Sequence, residues 1–425
     1  MTHEQAPPRA GGHFRWTICG LLFFATTVNY MDRQVLALLK PTLKDALHWS
    51  ETDYGTIIFW FQAAYAIGNV GAGRLMDVLG VRLGLAFSVA GWSLMAMLHA
   101  LARSVIGFST ARFGLGLTEG GNFPGAIKAV GEWFPRRERA LATGIFNSGS
   151  NIGALITPLL VAWINQNWGW KACFLAIGAL GFIWLILWFL FYGPPQTHPR
   201  LGASERAYIM SDPPTLAAHV PWLGLLGHRQ TWAFCAAMFL VAPVWWFYLY
   251  WIPGFFHDRY GLDLVHMGLP LVVIYQMASV GGIGGGWISG ALLRRGWSVN
   301  AARKTALFIC ACCVVPVAAS PLVGKWLAVG LVGLAAAAHQ GFAANMYTMV
   351  SDTVRREAVS SVVGIGGMVG AMGGMMAAWT TGKILDLTHN NYQALFVTAA
   401  AAYLIALAII HLLLPRLEPM SVKTD

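Results

Sequence analysis

Windows of about twenty mostly apolar residues recur along this chain, centred near residues 26, 64, 92, 116, 151, 181, 243, 279, 311, 338, 371 and 403. About twenty helical residues cross the hydrocarbon core of a bilayer, so the pattern predicts twelve transmembrane helices. Runs such as Phe174 to Tyr192 and Phe396 to Leu414 are continuously apolar. A membrane barrel alternates apolar and polar positions in segments of about ten residues, so a barrel is excluded and the expected class is all-α integral membrane. The long polar interruption at 193–229 carries Pro194, Pro195, Pro199, Pro213, Pro214 and Pro221, which predicts a linker between two units, 1–192 and 230–425.

Those units echo one another. GNVGAGRLMDVLGVR at 68–82 returns as GGIGGGWISGALLRR at 281–295, aligning Gly68 with Gly281, Gly71 with Gly284, Gly73 with Gly286 and Arg82 with Arg295. RRERALATGIFNSGSNIG from 136 returns as RREAVSSVVGIGGMVGAMG from 355. Two echoes in the same order at nearly one offset indicate duplication of a six-helix unit. Because six is even, both copies run in the same sense, related by an axis along the membrane normal. Glycines at spacing four (282, 286, 290 and 366, 370, 374) are read as helix-packing seams.

Composition agrees with the pattern: 57% of the 425 residues are hydrophobic and 11% charged. The net charge of +10 would suggest nucleic acid in a soluble protein, but 18 Lys and Arg fall in segments on one side and 7 on the other. By the positive-inside rule both termini are expected in the cytoplasm. The first apolar stretch runs too long for a signal peptide and lacks a small-residue cleavage pattern, so it is kept as the first span. The six cysteines show no spacing of a zinc site or disulfide framework. Cys310, Cys312 and Cys313 read as small packing residues, and no metal is expected.

Four charges need explanation. Asp32 and Arg33 in the first span, and Arg112 and Glu119 in the fourth, sum to zero. Each costs roughly 2.5–3.5 kcal/mol at mid-membrane on insertion scales unless it faces a partner or water. Arg112 and Glu119 stand two helical turns apart, so both can line one cavity about 10 Å apart along the axis. Pairing that merely holds helices together is the plainer alternative, but ion pairs stabilise a dry bundle poorly, and intramembrane ionisable groups mark ion or substrate paths. In the second unit, Trp246, Tyr248, Trp251, Gln276, His339, Gln340 and Asn345 offer hydrogen bonds and apolar walls; His339 is read as a packing histidine rather than a proton carrier.

The segment from Gly73 through Asp77 to Arg82 resembles the loop motif between the second and third helices of the major facilitator superfamily. The stretches NYMDRQVLALLKPTLKDALHWSETDYGTIIFWFQAAYAIG, RFGLGLTEGGNFPGAIKAVGEWFPRRERALATGIFNSGSNIGALITP, HQGFAANMYTMVSD and LLLPRLEP resemble the anion:cation symporter branch of that superfamily, and within it bacterial hexuronate transporters. The resemblance covers nearly the whole chain. It implies the major facilitator fold, a monomer in the cytoplasmic (inner) membrane, no cofactor, and protons coupled to uptake of galacturonate or glucuronate. It assigns proton binding to Asp32 and Glu119, substrate contact to Arg33 with Tyr65 and Ser150 in the pocket, and a gating latch to Gly73, Asp77 and Arg82. Ser150 stands where galactonate carriers have glutamine. Tyr30, Arg112, Tyr248, Gln276, Gln340 and Asn345 complete the candidate substrate contacts. Another organic anion remains the alternative substrate: an aldonate such as galactonate, or glucarate. An enzyme is disfavoured because no HExxH, GxSxG or Cys/His constellation occurs, and a channel because two pseudo-repeated halves form no ring or filter.

Overall fold

Local chemistry sets the helix boundaries. The computed structural model describes residues 12–211, 222–354, 356–418 and 420, in thirteen α-helices with no strand among them. The first, α1 (Phe14–Leu47), ends on His48 in the left-handed region. Then α2 (Glu51–Leu98) begins with a capping box, in which the Ser50 hydroxyl accepts from the Asp53 amide and the Asp53 carboxylate accepts from the Ser50 amide. Gly80 breaks α2 at φ 73°, a conformation glycine adopts without steric cost, and so turns one long apolar run into two spans. Gly169, at φ 78°, does the same in α5 (Arg136–Phe191). Between them, α3 (Val105–Glu119) and α4 (Asn122–Trp133) form one span interrupted at Gly120 and Gly121.

After the short α6 (Ala203–Ile209) and α7 (Trp222–Leu225) come α8 (Arg229–Tyr260), α9 (Leu264–Arg294), α10 (Val299–Val314), α11 (Lys325–Thr353), α12 (Arg356–Leu387) and α13 (Gln393–Leu413). A 3₁₀ stretch at Val315–Leu322 extends α10. Among the described residues, eight helical segments are long and apolar enough to cross a membrane on length and composition alone. One of these, Leu141–Phe191, is folded into two spans by Gly169; α1, residues 51–79 and the α3–α4 pair add three more, making twelve.

The spans form two six-helix bundles, α1–α5 and α8–α13. In the first, α1 packs on α5 and α2 on α3; in the second, α9 packs on α11 and α8 on α12. Close approach in membranes favours small residues. A side chain at Gly281 or Gly285 would collide with the backbone of Ala337 or Gly341, so the α9–α11 seam uses these positions. The expected seam at 282, 286 and 290 is corrected by one residue: Gly286 has nothing near it and Gly282 only ordinary contact. The other stripe packs as expected, with Gly366, Gly370 and Gly374 lying against Phe234, Ala242 and Trp246 of α8. Part of the proline-rich connection docks on the first bundle: buried Arg15 bridges Glu138 of α5 (2.8 Å) and Glu205 of α6 (3.1 Å).

Every described hydrogen bond between the bundles lies at one face. The Asp386 carboxylate accepts from the amides of Glu51 (2.8 Å) and Thr52 (2.7 Å), capping α2 from the opposite bundle. The Tyr54 hydroxyl donates to the Tyr250 carbonyl at 2.9 Å. Gly55 and Gly382 allow the contact, since a side chain on either would strike the carbonyl of Ala378 or Glu51. At the opposite face no hydrogen bond or ion pair joins the bundles among the described residues.

Candidate functional site

Midway along α1, Arg33 and Glu119 form an ion pair. Arg33 Nε donates to Glu119 Oε2 at 2.6 Å, with side-chain exposures of 3% and 0%. The geometry follows from the break after α3. Glu119 is the last residue of α3, where the helix dipole disfavours a negative charge, and the neighbouring guanidinium compensates. Aromatic rings surround that guanidinium: Cζ lies 4.5 Å from the Tyr65 ring, 5.1 Å from Tyr30, and 5.6 Å from both Phe61 and Trp246. Cation–π attraction of this kind strengthens in a desolvated setting. Trp246 belongs to the second bundle, so the cage spans the boundary between the bundles.

Arg112 is placed differently from the sequence expectation. Its Nη1 and Nη2 donate to the backbone carbonyls of Asp32 (3.2 Å) and Arg33 (2.9 Å), and it is wholly buried. It therefore ties α3 to the middle of α1 and engages neither carboxylate by hydrogen bond. Asp32, 4% exposed, makes no ion pair among the described residues, and its Oδ2 is buried without a hydrogen-bond partner. Glu119 Oε1, Arg112 Nε, Asn29 Nδ2 and both amide atoms of Gln62 are likewise buried and unpartnered. Native interiors pair nearly all such groups. These atoms have hydrogen-bonding capacity left for a ligand, a proton or water.

Beside this cluster lies a cavity of about 220 Å³. Tyr65 forms its wall on the first bundle; Trp245 and Trp246 of α8, and His339, Met346 and Tyr347 of α11, form the opposite wall. Arg33 sits directly behind Tyr65 and Trp246. Larger hollows of about 730 Å³ at the Gly80 bend and about 500 Å³ beside Pro41 contain none of the buried central ions.

The structure thus brings Tyr30, Arg33, Tyr65 and Glu119 together, with Asp32 and Arg112 behind them. It places the other candidates elsewhere. Asn345 donates to the carbonyls of Gly285 and Gly341 inside the α9–α11 seam. The Ser150 hydroxyl donates to the Asn147 carbonyl one turn back. Tyr248 is buried away from the cavity, Gln276 is exposed, and half-buried Gln340 lies beside Gly282. For Ser150 and Asn345 a local backbone acceptor takes the polar group, which periodicity alone does not reveal. Phe61, Trp245 and Tyr347 escaped the sequence reading; Phe61 and Tyr65, one turn apart, were the available signal. Of the expected latch residues, Arg82 donates to the Phe189 carbonyl at 3.2 Å, while the surroundings of Gly73 and the side chain of Asp77 lie outside the described residues. No group of three or more metal-ligating side chains occurs among the described residues.

Two six-span bundles meeting around a buried ion pair and a central cavity define a membrane carrier. Residues 22–378 match the Major Facilitator Superfamily, and the chain belongs to that family; it is a multi-pass membrane transporter, not an enzyme. It is 31% identical to the hexuronate transporter of Escherichia coli (strain K12) over 419 residues, 97% of this chain and 96% of that protein. It is 35% identical to the galacturonate transporter of Dickeya chrysanthemi over 291 residues, covering 67% and 84%. Among solved structures, a bacterial homologue of the human lysosomal transporter Spinster, in an inward-facing and occupied conformation, superposes with a TM-score of 0.75 at 17% identity, covering 95% of this chain and 97% of that one.

Proposed function

We propose that this carrier couples protons to the uptake of a sugar-acid monoanion, foremost a hexuronate such as galacturonate or glucuronate. The observation that carries the reading is the buried Arg33–Glu119 pair beside the cavity. A carboxylate substrate competes with Glu119 for the one guanidinium next to the cavity. Protonating Glu119 releases Arg33, and a substrate bound to Arg33 in turn favours the protonated acid. This is reciprocal coupling between two ligands. Asp32, without an ion-pair partner among the described residues, is a second carboxyl that can take a proton without breaking a pair. Arg112, satisfied by carbonyls, positions α1.

The substrate class follows from the opposite wall. Trp245, Trp246, His339 and Tyr347 offer ring faces and hydrogen-bonding groups suited to a hydroxylated body. None of the cavity-lining residues is a lysine or arginine, so a second carboxylate would be desolvated without a partner. That favours uronates over dicarboxylates, the substrates named for more distant relatives such as the probable galactarate/D-glucarate transporter of Escherichia coli (strain K12), 28% identical. By the Lys and Arg count the sealed face is the outer one, and both termini lie in the cytoplasm of a cell whose inner membrane holds the protein as a monomer. The cavity then opens inward. Alternating access requires the contacts around Asp386 to open as the opposite face closes.

Purified protein in liposomes, given galacturonate, glucuronate, galactonate, glucarate and glucose under imposed pH and voltage gradients, tests the reading. Saturable accumulation of uronates driven by an inward proton gradient is expected. Accumulation indifferent to the proton gradient, or preferring glucarate or glucose, refutes it.

A further inference from the structure

One hydrogen-bonding group on the cavity wall is built to be held still. His339 lies 7% exposed on α11 and lines the cavity. Its ring stacks on Trp245 with centroids 5.1 Å apart and planes 13° apart. Nδ1 meets the hydroxyl of Tyr403, on α13, at 2.6 Å. Tyr403 is fully buried, and His339 is the one hydrogen-bond partner of its hydroxyl among the described residues. A buried O–H with a single partner donates to it. Nδ1 is then the acceptor, and in a neutral imidazole the proton sits on Nε2. Nε2 diverges from Nδ1 across the ring and has no hydrogen-bond partner among the described residues. A second-layer tyrosine and a stacked tryptophan thus fix both the tautomer and the plane of a donor on the second-bundle wall of the cavity.

On the reading of the preceding subsection, we propose that His339 Nε2–H is a specificity-determining donor that recognises a hydroxyl of the sugar acid while Arg33 holds its carboxylate, with Tyr403 as the positioning residue. A site built to hydrogen-bond a substrate hydroxyl discriminates far more sharply than an apolar pocket, because a mismatched ligand leaves the buried donor unpaired.

The test measures KM and kcat for glucuronate and galacturonate in proteoliposomes of wild type, His339→Phe, His339→Gln, Tyr403→Phe and the His339→Phe/Tyr403→Phe double variant. Phenylalanine at 339 keeps the stack on Trp245 and removes the donor; glutamine restores an N–H. Expected are a KM raised about 10-fold in His339→Phe with kcat little changed, a value within about 3-fold of wild type in His339→Gln, and a rise of about 3-fold in Tyr403→Phe. The double variant should be no worse than His339→Phe alone, since Tyr403 acts through the imidazole. A KM within 2-fold of wild type in His339→Phe, no rescue by glutamine, or additive losses in the double variant overturns the proposal. Should His339→Phe fail to reach the membrane, the other single variants decide: His339→Gln well above 3-fold or Tyr403→Phe unchanged overturns it. Wild type that transports uronates while these variants match it sinks this inference alone, whereas wild type inactive towards every sugar acid sinks the preceding reading and this one with it.

Discussion

Two buried ion pairs stand seven residues apart on α1, and they are built differently. At the sealed face each oxygen of Glu51 faces its own lysine: Lys40 Nζ lies 2.6 Å from Oε2, an ion pair without hydrogen-bond geometry, and Lys44 Nζ donates to Oε1 at 2.7 Å. Its own amide is capped by Asp386 from the other bundle. At the centre, Glu119 uses one oxygen on Arg33 and leaves Oε1 buried without a partner, beside an unpaired Asp32. Saturated ion clusters resist rearrangement, because removing one member strands another in low dielectric. Under-satisfied clusters sit closer in energy to their alternatives, and a proton or an anion can tip them. The same helix therefore carries a seal at one end and an exchange site at its middle.

That contrast can be broken experimentally. The largest effect is expected at Arg33: losing one partner of a buried charge pair costs about 2–5 kcal/mol, so Arg33→Gln should cut uptake kcat/KM by roughly 30-fold to several thousand-fold. Arg33→Lys should fare little better, since an ammonium cannot reproduce the planar fork. Uptake assays check both, and near-normal rates in Arg33→Gln would show that the central pair is only structural. Next, Glu119→Gln is expected to abolish accumulation driven by a pH gradient while sparing substrate exchange between preloaded liposomes and their medium. Net proton-driven accumulation in this variant would remove Glu119 from the coupling.

Lys40→Met should destabilise the sealed face without destroying transport, by about 1–3 kcal/mol, less than the full cost of a broken buried pair because Lys44 still neutralises Glu51. Thermal unfolding in detergent and labelling of a cysteine introduced at half-buried Thr52 report it. Unchanged stability would mean that the lysine is dispensable to the seal. The smallest effect is expected for Asp386→Ala, which deletes a cap worth about 1 kcal/mol and should raise labelling at that face by roughly 5-fold. Gly382→Leu should push in the same direction by steric collision with the Glu51 carbonyl.

Much of this was legible from residue order. Twelve spans follow from hydropathy, because lipid permits few backbone solutions. The oddity of Asp32, Arg33, Arg112 and Glu119 was equally legible, because charges within a bilayer demand a reason. Their pairing was not. Arg112 went to the carbonyls of Asp32 and Arg33, and Glu119 went to Arg33 rather than to the arginine two turns behind it on its own helix. Glycine spacing likewise announced a seam on α9 but missed its face by one residue, since neighbouring glycines at 281, 282, 284, 285 and 286 offer several stripes and only the partner helix selects among them.

The sequence by itself determined that this chain crosses a membrane twelve times in two like halves and carries a neutral set of ions through the lipid. Which carboxylate meets which arginine, which aromatic rings wall the cavity, and which face is shut were decided by tertiary structure. The reason is physical: spans are set by local burial of the backbone and apolar side chains in lipid, whereas pairing across helices depends on rotations and breaks, such as those at Gly80 and Gly120, that no single helix specifies.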